Sequence, residues 1–196
     1  MAIKRFAAIA DTTITNAFSA NSGLQTRATG SNMGLADSLE VYSVYGRASS
    51  SFGSGQSAEL SRILIKFPVT TAKRTSGEIP ASGSVSFYLK MYNVAHANTL
   101  PVGAKMNVFA VSRSWEEGRG VDLDTYTDKT YDNVGSNWIN ASSSYKWLRP
   151  GGDYHTGSAA GDLNSIIMYS QTFPSGSEDL DVDITHLVER WIRASG

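Results

Sequence analysis

The sequence predicts an all-β fold, an antiparallel β-sandwich with one short helix near the C-terminus lying across one end. Three patterns carry that reading. In residues 62–69, Ile63, Ile65, Phe67 and Val69 fall on one face of an extended strand, and Arg62 and Lys66 fall on the other. In residues 84–92, Val85, Phe87, Leu89 and Met91 alternate with Ser84, Ser86, Tyr88 and Lys90. Successive strand side chains point to opposite faces, so a period of two marks a strand with one wet side. The third pattern changes period. Leu180, Val182 and Ile184 alternate with Asp181 and Asp183, after which Ile184, Leu187, Val188, Trp191 and Ile192 follow helical spacing.

The elements follow in order. Residues 1–10 imitate a signal peptide, with Lys4-Arg5 ahead of Ala8-Ile9-Ala10. The apolar segment between them falls short of the roughly 7–15 residues such a leader needs. Residues 6–10 therefore read as a first strand, and residues 38–45 as a second. Residues 48–61 form a polar loop or long hairpin connection rich in Gly and Ser. Strands are expected at 62–69, 85–92, 105–112, 166–170 and 180–184, with turns at 79–83 and 100–103. A helix of about residues 184–193 then takes Asp183 or Thr185 as its cap, since either side chain can accept from the free N–H groups of a first turn. Arg190 and Arg193 sit near its end, where the dipole favours positive charge. Many short strands separated by turns, with no helices between them, favour a sandwich over a parallel sheet. No internal repeat or linker interrupts them, so residues 1–196 read as a single domain.

Composition narrows the function classes. A chain of 196 residues is long enough to bury roughly 70% of its unfolded surface. Seventeen basic and 18 acidic residues give a net charge of −1, without the basic stripe that nucleic-acid binding requires. With no cysteine, neither a disulfide nor a thiolate metal site can form. No apolar run approaches the ~20 residues of a membrane-spanning helix. Asn140-Ala141-Ser142 matches the glycosylation sequon, which has meaning only in a eukaryotic secretory route.

Catalytic signatures fail in turn. The chain holds no Gly-x-Ser-x-Gly elbow, phosphate-binding loop or His-Glu-x-x-His. Gly53-Ser-Gly-Gln-Ser-Ala58 fits the loose dinucleotide pattern but precedes a strand, so no helix N-terminus would meet the phosphate. His96, His155 and His186 are scattered and suit surface or packing roles. Glu116 and Glu117 are adjacent, whereas glycosidase carboxylates must flank a bond from opposite sides. No nucleophile, base and oxyanion donors come together, and the chain reads as a non-enzyme. Asp122, Asp124 and Asp128, with Asp132, form an acidic loop that could offer calcium several oxygens. Against that stand the intervening Tyr126 and the missing Gly and terminal Glu of a calcium loop, which suit a solvated loop instead. No other cofactor is indicated. Trp138, Tyr145 and Trp147 lie in a polar stretch. They read either as a platform for sugars, whose C–H faces match an aromatic ring, or as core and sheet-edge aromatics. Trp115 reads as a core plug. Residues alone thus describe a soluble all-β domain without a function.

Five segments go further. They are Ala10-Asp-Thr-Thr-Ile-Thr-Asn16, Asn32-Met-Gly-Leu-Ala-Asp-Ser-Leu-Glu-Val41, Ser61-Arg-Ile-Leu-Ile-Lys-Phe-Pro-Val69, Val111-Ser-Arg-Ser-Trp-Glu116 and Leu180-Asp-Val-Asp-Ile-Thr-His-Leu-Val-Glu-Arg-Trp191. In this order they resemble the DNRLRE-type β-sandwich domain. The resemblance implies a jelly-roll-like antiparallel sandwich. Such domains occur as accessory modules of secreted bacterial proteins, some of which bind acidic polysaccharides, and in structural proteins of tailed marine phages. Gly135-Ser-Asn-Trp-Ile-Asn140 and Trp147-Leu-Arg-Pro-Gly-Gly-Asp-Tyr154 resemble the versions in cyanophage virion proteins. The implied role is a non-enzymatic virion component, decorating or attaching to capsid, neck or tail. Its partners would be other structural proteins and further copies of itself. The alternative is a carbohydrate-binding module that takes an acidic or host-surface polysaccharide on Trp138, Tyr145 or Trp147, with calcium near Asp122, Asp124 and Asp128. Domains of this type continue past the helix into at least one more strand, whereas the sequence stops at Gly196. The expectation is therefore an N-terminal part of a longer chain, or a subunit whose open sheet edge a neighbour completes.

Overall fold

Threonine dominates the first strand. In β1 (Ala10–Thr15), Thr12, Thr13, Ile14 and Thr15 are all buried. β-Branched side chains suit an extended backbone, and buried hydroxyls need partners. Thr15 Oγ1 donates to Leu60 O at 2.9 Å, and Thr13 Oγ1 accepts from Glu40 N at 2.9 Å. Burial on both faces erases the alternation, which is why the strand expected at residues 6–10 begins at Ala10 instead.

The computed structural model describes residues 3–19, 26–44, 58–95, 102–124, 126, 134–155 and 168–194. The chain divides into two compact units. Unit 1 comprises Met1–Phe67 and Val111–Asp153; unit 2 comprises Pro68–Ala110 and Tyr154–Gly196.

In unit 1, β1, β2 (Ser43–Val44) and β3 (Glu59–Lys66) form an antiparallel sheet in the order β1-β3-β2. Ile14 lies opposite Arg62, so it shares a face with Arg62 and Leu64. Leu64 joins Ile14, Trp138, Ala141 and Trp147 in the core, while Ile63 and Ile65 are only half-buried. Both faces of β3 are thus partly buried: Glu59 and Ser61 are buried on the side of Ile63 and Ile65, Leu64 is buried on the side of Arg62, and Lys66 is exposed as expected. Arg62, expected to face solvent, is half-buried because its guanidinium lies 5.0 Å from the centre of the Trp138 ring and Nη1 donates to Gly151 O. Of the strand expected at 38–45, whose Tyr45 lies outside the described residues, the ladder covers Ser43–Val44, and a side chain takes over part of the pairing before it. Ser61 Oγ donates to Glu40 O (2.9 Å) and accepts from Tyr42 N (2.8 Å).

Unit 2 holds two antiparallel pairs. β4 (Tyr88–Met91) pairs with β7 (Leu180–Asp183), and β5 (Ala104–Phe109) pairs with β6 (Met168–Phe173). The Gln171 side chain links the pairs as a peptide unit would. Its Nε2 donates to Asp179 O and its Oε1 accepts from Asp181 N, both at 2.8 Å. The alternation expected through 84–92 and 180–184 is present residue by residue. Strands at 105–112 and 166–170 were expected; the described ones run 104–109 and 168–173, and positions 100–101 and 166–167 lie outside the described residues. Among the regular elements of the described residues strands predominate, with two short α-helices.

The C-terminal helix α2 (Thr185–Ala194) matches its expected place, and Asp183 Oδ1 accepts from Thr185 N at 2.8 Å. Leu187, Val188 and Ile192 are buried, but Trp191 is 36% exposed and Glu189 takes a buried position instead. The reason is α1 (Thr71–Thr75), which the sequence pattern did not suggest. Its Arg74 grips the Glu189 carboxylate with two donors at 2.6 and 2.7 Å, and Ser82 Oγ adds a third at 2.8 Å. Paired charge-assisted bonds of this kind make a buried carboxylate tolerable.

Arg74 holds the Glu189 carboxyl below its ordinary 4.5, against the opposing effect of burial. Its folded value lies below its unfolded one. The stabilisation is therefore complete above about pH 4.5 and disappears as pH falls through the folded value. Glu189→Ala is expected to cost about 3 kcal/mol in urea titrations at pH 7, because it strands Arg74. It should also flatten the loss of stability below pH 4.5; an acid limb as steep as the parent's would refute the assignment.

Candidate functional site

The loops of unit 1 converge on a buried asparagine. Asn32 Nδ2 donates to Glu117 O and Ser136 O, each at 2.8 Å, while Oδ1 accepts from Gly120 N (2.6 Å) and Gly34 N (3.2 Å). Two donors and two lone pairs are thereby all used. The main chain comes close enough only because glycine stands at the contacts. A Cβ on Gly120 would lie 2.1 Å from Asn32 O, and one on Gly118 (φ +85) would lie 2.5 Å from the Asn32 amide.

Asp122, one of the calcium candidates, belongs to this assembly. It is fully buried in a single 3₁₀ turn (Asp122–Asp124), and its Oδ2 accepts from Asn32 N at 3.1 Å. Asp124 is exposed, and Asp128 and Asp132 lie outside the described residues. Asp122 thus points to backbone and Asp124 to solvent. Among the described residues, no three His, Asp or Glu side chains gather as a cation site would require. Tyr126 adopts a left-handed backbone (φ +50) and donates its hydroxyl to Glu40 Oε2 at 2.8 Å. Burial, with Tyr42 and Glu40 alongside, pushes its phenol far above the ordinary value.

The three aromatic candidates separate. Trp138 and Trp147 are buried core residues, and Trp147 Nε1 donates to Asn137 O at 2.9 Å. Neither ring presents a face to solvent, because the two indoles fill the space beneath Ile14 and Leu64. Trp115 packs against the same cluster. Tyr145 is different. It sits at a turn closed by Ala141 N to Tyr145 O (2.8 Å) and Trp147 N to Ile139 O (3.0 Å), and it is 67% exposed. Lys146 and Arg149 are exposed beside it, as is Leu148 at 79%. Asp153 holds this turn from within, accepting from Leu148 N (3.0 Å), Arg149 N (3.1 Å) and Arg113 Nε (2.7 Å). Burial pushes its carboxyl up, but the two amides and the guanidinium hold it below the ordinary value.

Glu116 and Glu117 diverge. Glu116 Oε2 accepts from Ser143 N (3.0 Å), an N–H that keeps its carboxyl low, whereas Glu117 Oε1 accepts from Asp11 N (2.7 Å). Each carboxylate is anchored to a different stretch of backbone. His155 and His186 are exposed; His96 and residues 53–57 of the glycine-rich loop lie outside the described residues. The site is thus a presenting turn, with Tyr145, Lys146, Leu148 and Arg149 carried on a rigid base. Sequence reasoning passed over Lys146, Leu148 and Arg149, since nothing in their spacing separates them from ordinary loop residues. It also passed over Asn32, whose signal was the glycine pair Gly118-x-Gly120.

No family model, curated protein or solved structure matches the chain.

Two stability measurements check this anatomy. Asn32→Ala leaves several buried backbone groups without partners, at roughly 1–3 kcal/mol each, so a loss of at least about 3 kcal/mol is expected in denaturant titrations. Trp147→Ala is expected to cost about 3–5 kcal/mol, whereas Tyr145→Ala should stay within about 0.5 kcal/mol of the parent. Equal losses for the last two would contradict the division between core and presenting turn.

Proposed function

We propose that this chain is a non-enzymatic structural protein of a tailed-phage virion, a jelly-roll-like DNRLRE-type sandwich acting through protein–protein contacts on capsid, neck or tail. The observation that carries the reading is where the polar groups go. Asn32, Asp122 and Asp153, together with Glu116 and Glu117, each bond to backbone, with Arg113 as a further partner of Asp153. Side chains of that kind stiffen loops. Meanwhile Leu35, Val41, Val121 and Leu148 of the same unit are exposed, and apolar side chains on stiff loops suit docking onto neighbouring subunits.

The resemblance supports the same reading. Ala10–Thr15, Asn32, residues 61–66 and residues 111–116 all contribute to the bonded framework of unit 1, and the fifth segment coincides with β7 and α2. Further copies of the chain are the natural first partners, as in most symmetric assemblies.

A second reading, recognition of an acidic or host-surface polysaccharide, is favoured by Tyr145 standing exposed between Ser144 and Lys146, with Arg149 nearby in sequence. Trp138 and Trp147 drop out of it.

Mass spectrometry of density-purified particles is expected to recover the protein at a fixed ratio to the major capsid protein. Recovery only from the soluble fraction would sink the virion reading. Binding to a polysaccharide array that vanishes in Tyr145→Ala would favour the second.

A further inference from the structure

The outward face of the β4–β7 pair in unit 2 carries a row of side chains that the preceding reading does not use. Strict alternation puts Tyr88, Lys90 and Tyr92 on one side of the chain. Tyr88 is 56% exposed and Tyr92, just beyond β4, is 72% exposed. Four residues of extended backbone separate their Cα atoms by about 13 Å, the span of a short oligosaccharide rather than of one ring. Between them, Lys90 Nζ contacts Asp181 Oδ2 at 2.6 Å. The register sets Asp181 opposite Lys90 and Asp183 opposite Tyr88, so both carboxylates share the face.

The backbone beneath this row is held on several sides. Leu89, Leu180 and Val182 are buried on the reverse side. Gln171 fixes the free edge of β7, and Asp179 Oδ1 accepts from Asn93 N at 2.8 Å just past Tyr92. A fixed backbone lowers the ordering cost of binding.

We infer that this face binds a neutral, linear polysaccharide, with Tyr88 and Tyr92 stacking on sugar rings and the Lys90–Asp181 pair hydrogen-bonding the hydroxyls between them. Tyrosine rings offer flat apolar area with a polar tip, which matches a pyranose. Charge selects among chains that could stack here. Two carboxylates against one ammonium leave the row net negative, which repels uronic-acid polymers. It likewise repels single-stranded nucleic acid, whose bases also stack on aromatic rings but need a cationic groove for their phosphates. This inference is independent of the virion reading and of Tyr145.

Affinity electrophoresis of the full chain tests it, in native gels cast with glucomannan, galactomannan, laminarin or hydroxyethylcellulose and, in parallel, with alginate or polygalacturonate. Retardation is expected in at least one neutral gel. Tyr88→Ala and Tyr92→Ala should each weaken it about tenfold, equivalent to about 1.4 kcal/mol. Tyr88→Phe and Tyr145→Ala should leave it unchanged, and all four variants should melt with the parent. No retardation in any of the four neutral gels overturns the inference. So does retardation that survives loss of both tyrosines, or stronger binding to the acidic gels or to oligo(dT).

Discussion

The primary amide of Asn32 meets the main chain at Gly34, Glu117, Gly120 and Ser136, and the loop architecture of unit 1 depends on those four bonds. Buried peptide groups outside regular ladders must find partners or lose on the order of 1–3 kcal/mol each. Among the described residues of unit 1, extended ladders join β1, β2 and β3, with isolated bridges at Phe18–Arg27 and Asn140–Lys146. The loops beside them are irregular, so side chains must provide what a ladder would. Asp122 continues the same solution by holding Asn32 N, and Asp153 does so for Leu148 and Arg149.

Unit 2 uses the same chemistry differently. Gln171 stands in for a peptide unit between β6 and β7. Glu189, on a helix face that would otherwise be apolar, accepts three donors from Arg74 and Ser82. Gln171 is half-buried and Glu189 buried with these hydrogen bonds made, the condition under which such burial is tolerable. What these groups gain in order they lose in reactivity, since a carboxylate or amide with its bonds already made is poorly placed to act on a substrate. Among the described residues, side chains that stand clear of the framework include the Tyr145 turn in one unit and the Tyr88–Tyr92 row in the other.

Legibility followed burial geometry. Residues 84–92 and 180–184 were readable because each strand has one wet face and one dry face, and α2 because its apolar residues recur at helical spacing. β1 was not, since Thr12, Thr13 and Ile14 are buried on both sides and threonine carries no hydrophobic signal. β3 misled at one position: Arg62 reads as a solvent-facing residue, yet its guanidinium covers Trp138, whereas Lys66 is exposed as its spacing suggests. α1 is five residues long, too short to show a period. Of the site candidates, the spacing of Trp138, Tyr145 and Trp147 could not distinguish a core indole from an exposed ring. That distinction rests on what packs above each one.

The amino-acid order by itself determined the predominance of strands, the switch from strand to helix near Ile184, and the absence of thiol chemistry, because these depend on local periodicity and residue type. Tertiary structure alone decided which polar residues went inside. Whether Asn32, Asp122 or Glu189 is a surface group or a framework group depends on partners that lie between about 80 and 120 residues away along the chain, such as Ser136, Asp122 with Asn32, and Arg74. The free energy of burying a polar atom is set by whether those distant donors and acceptors arrive, and no local pattern records that.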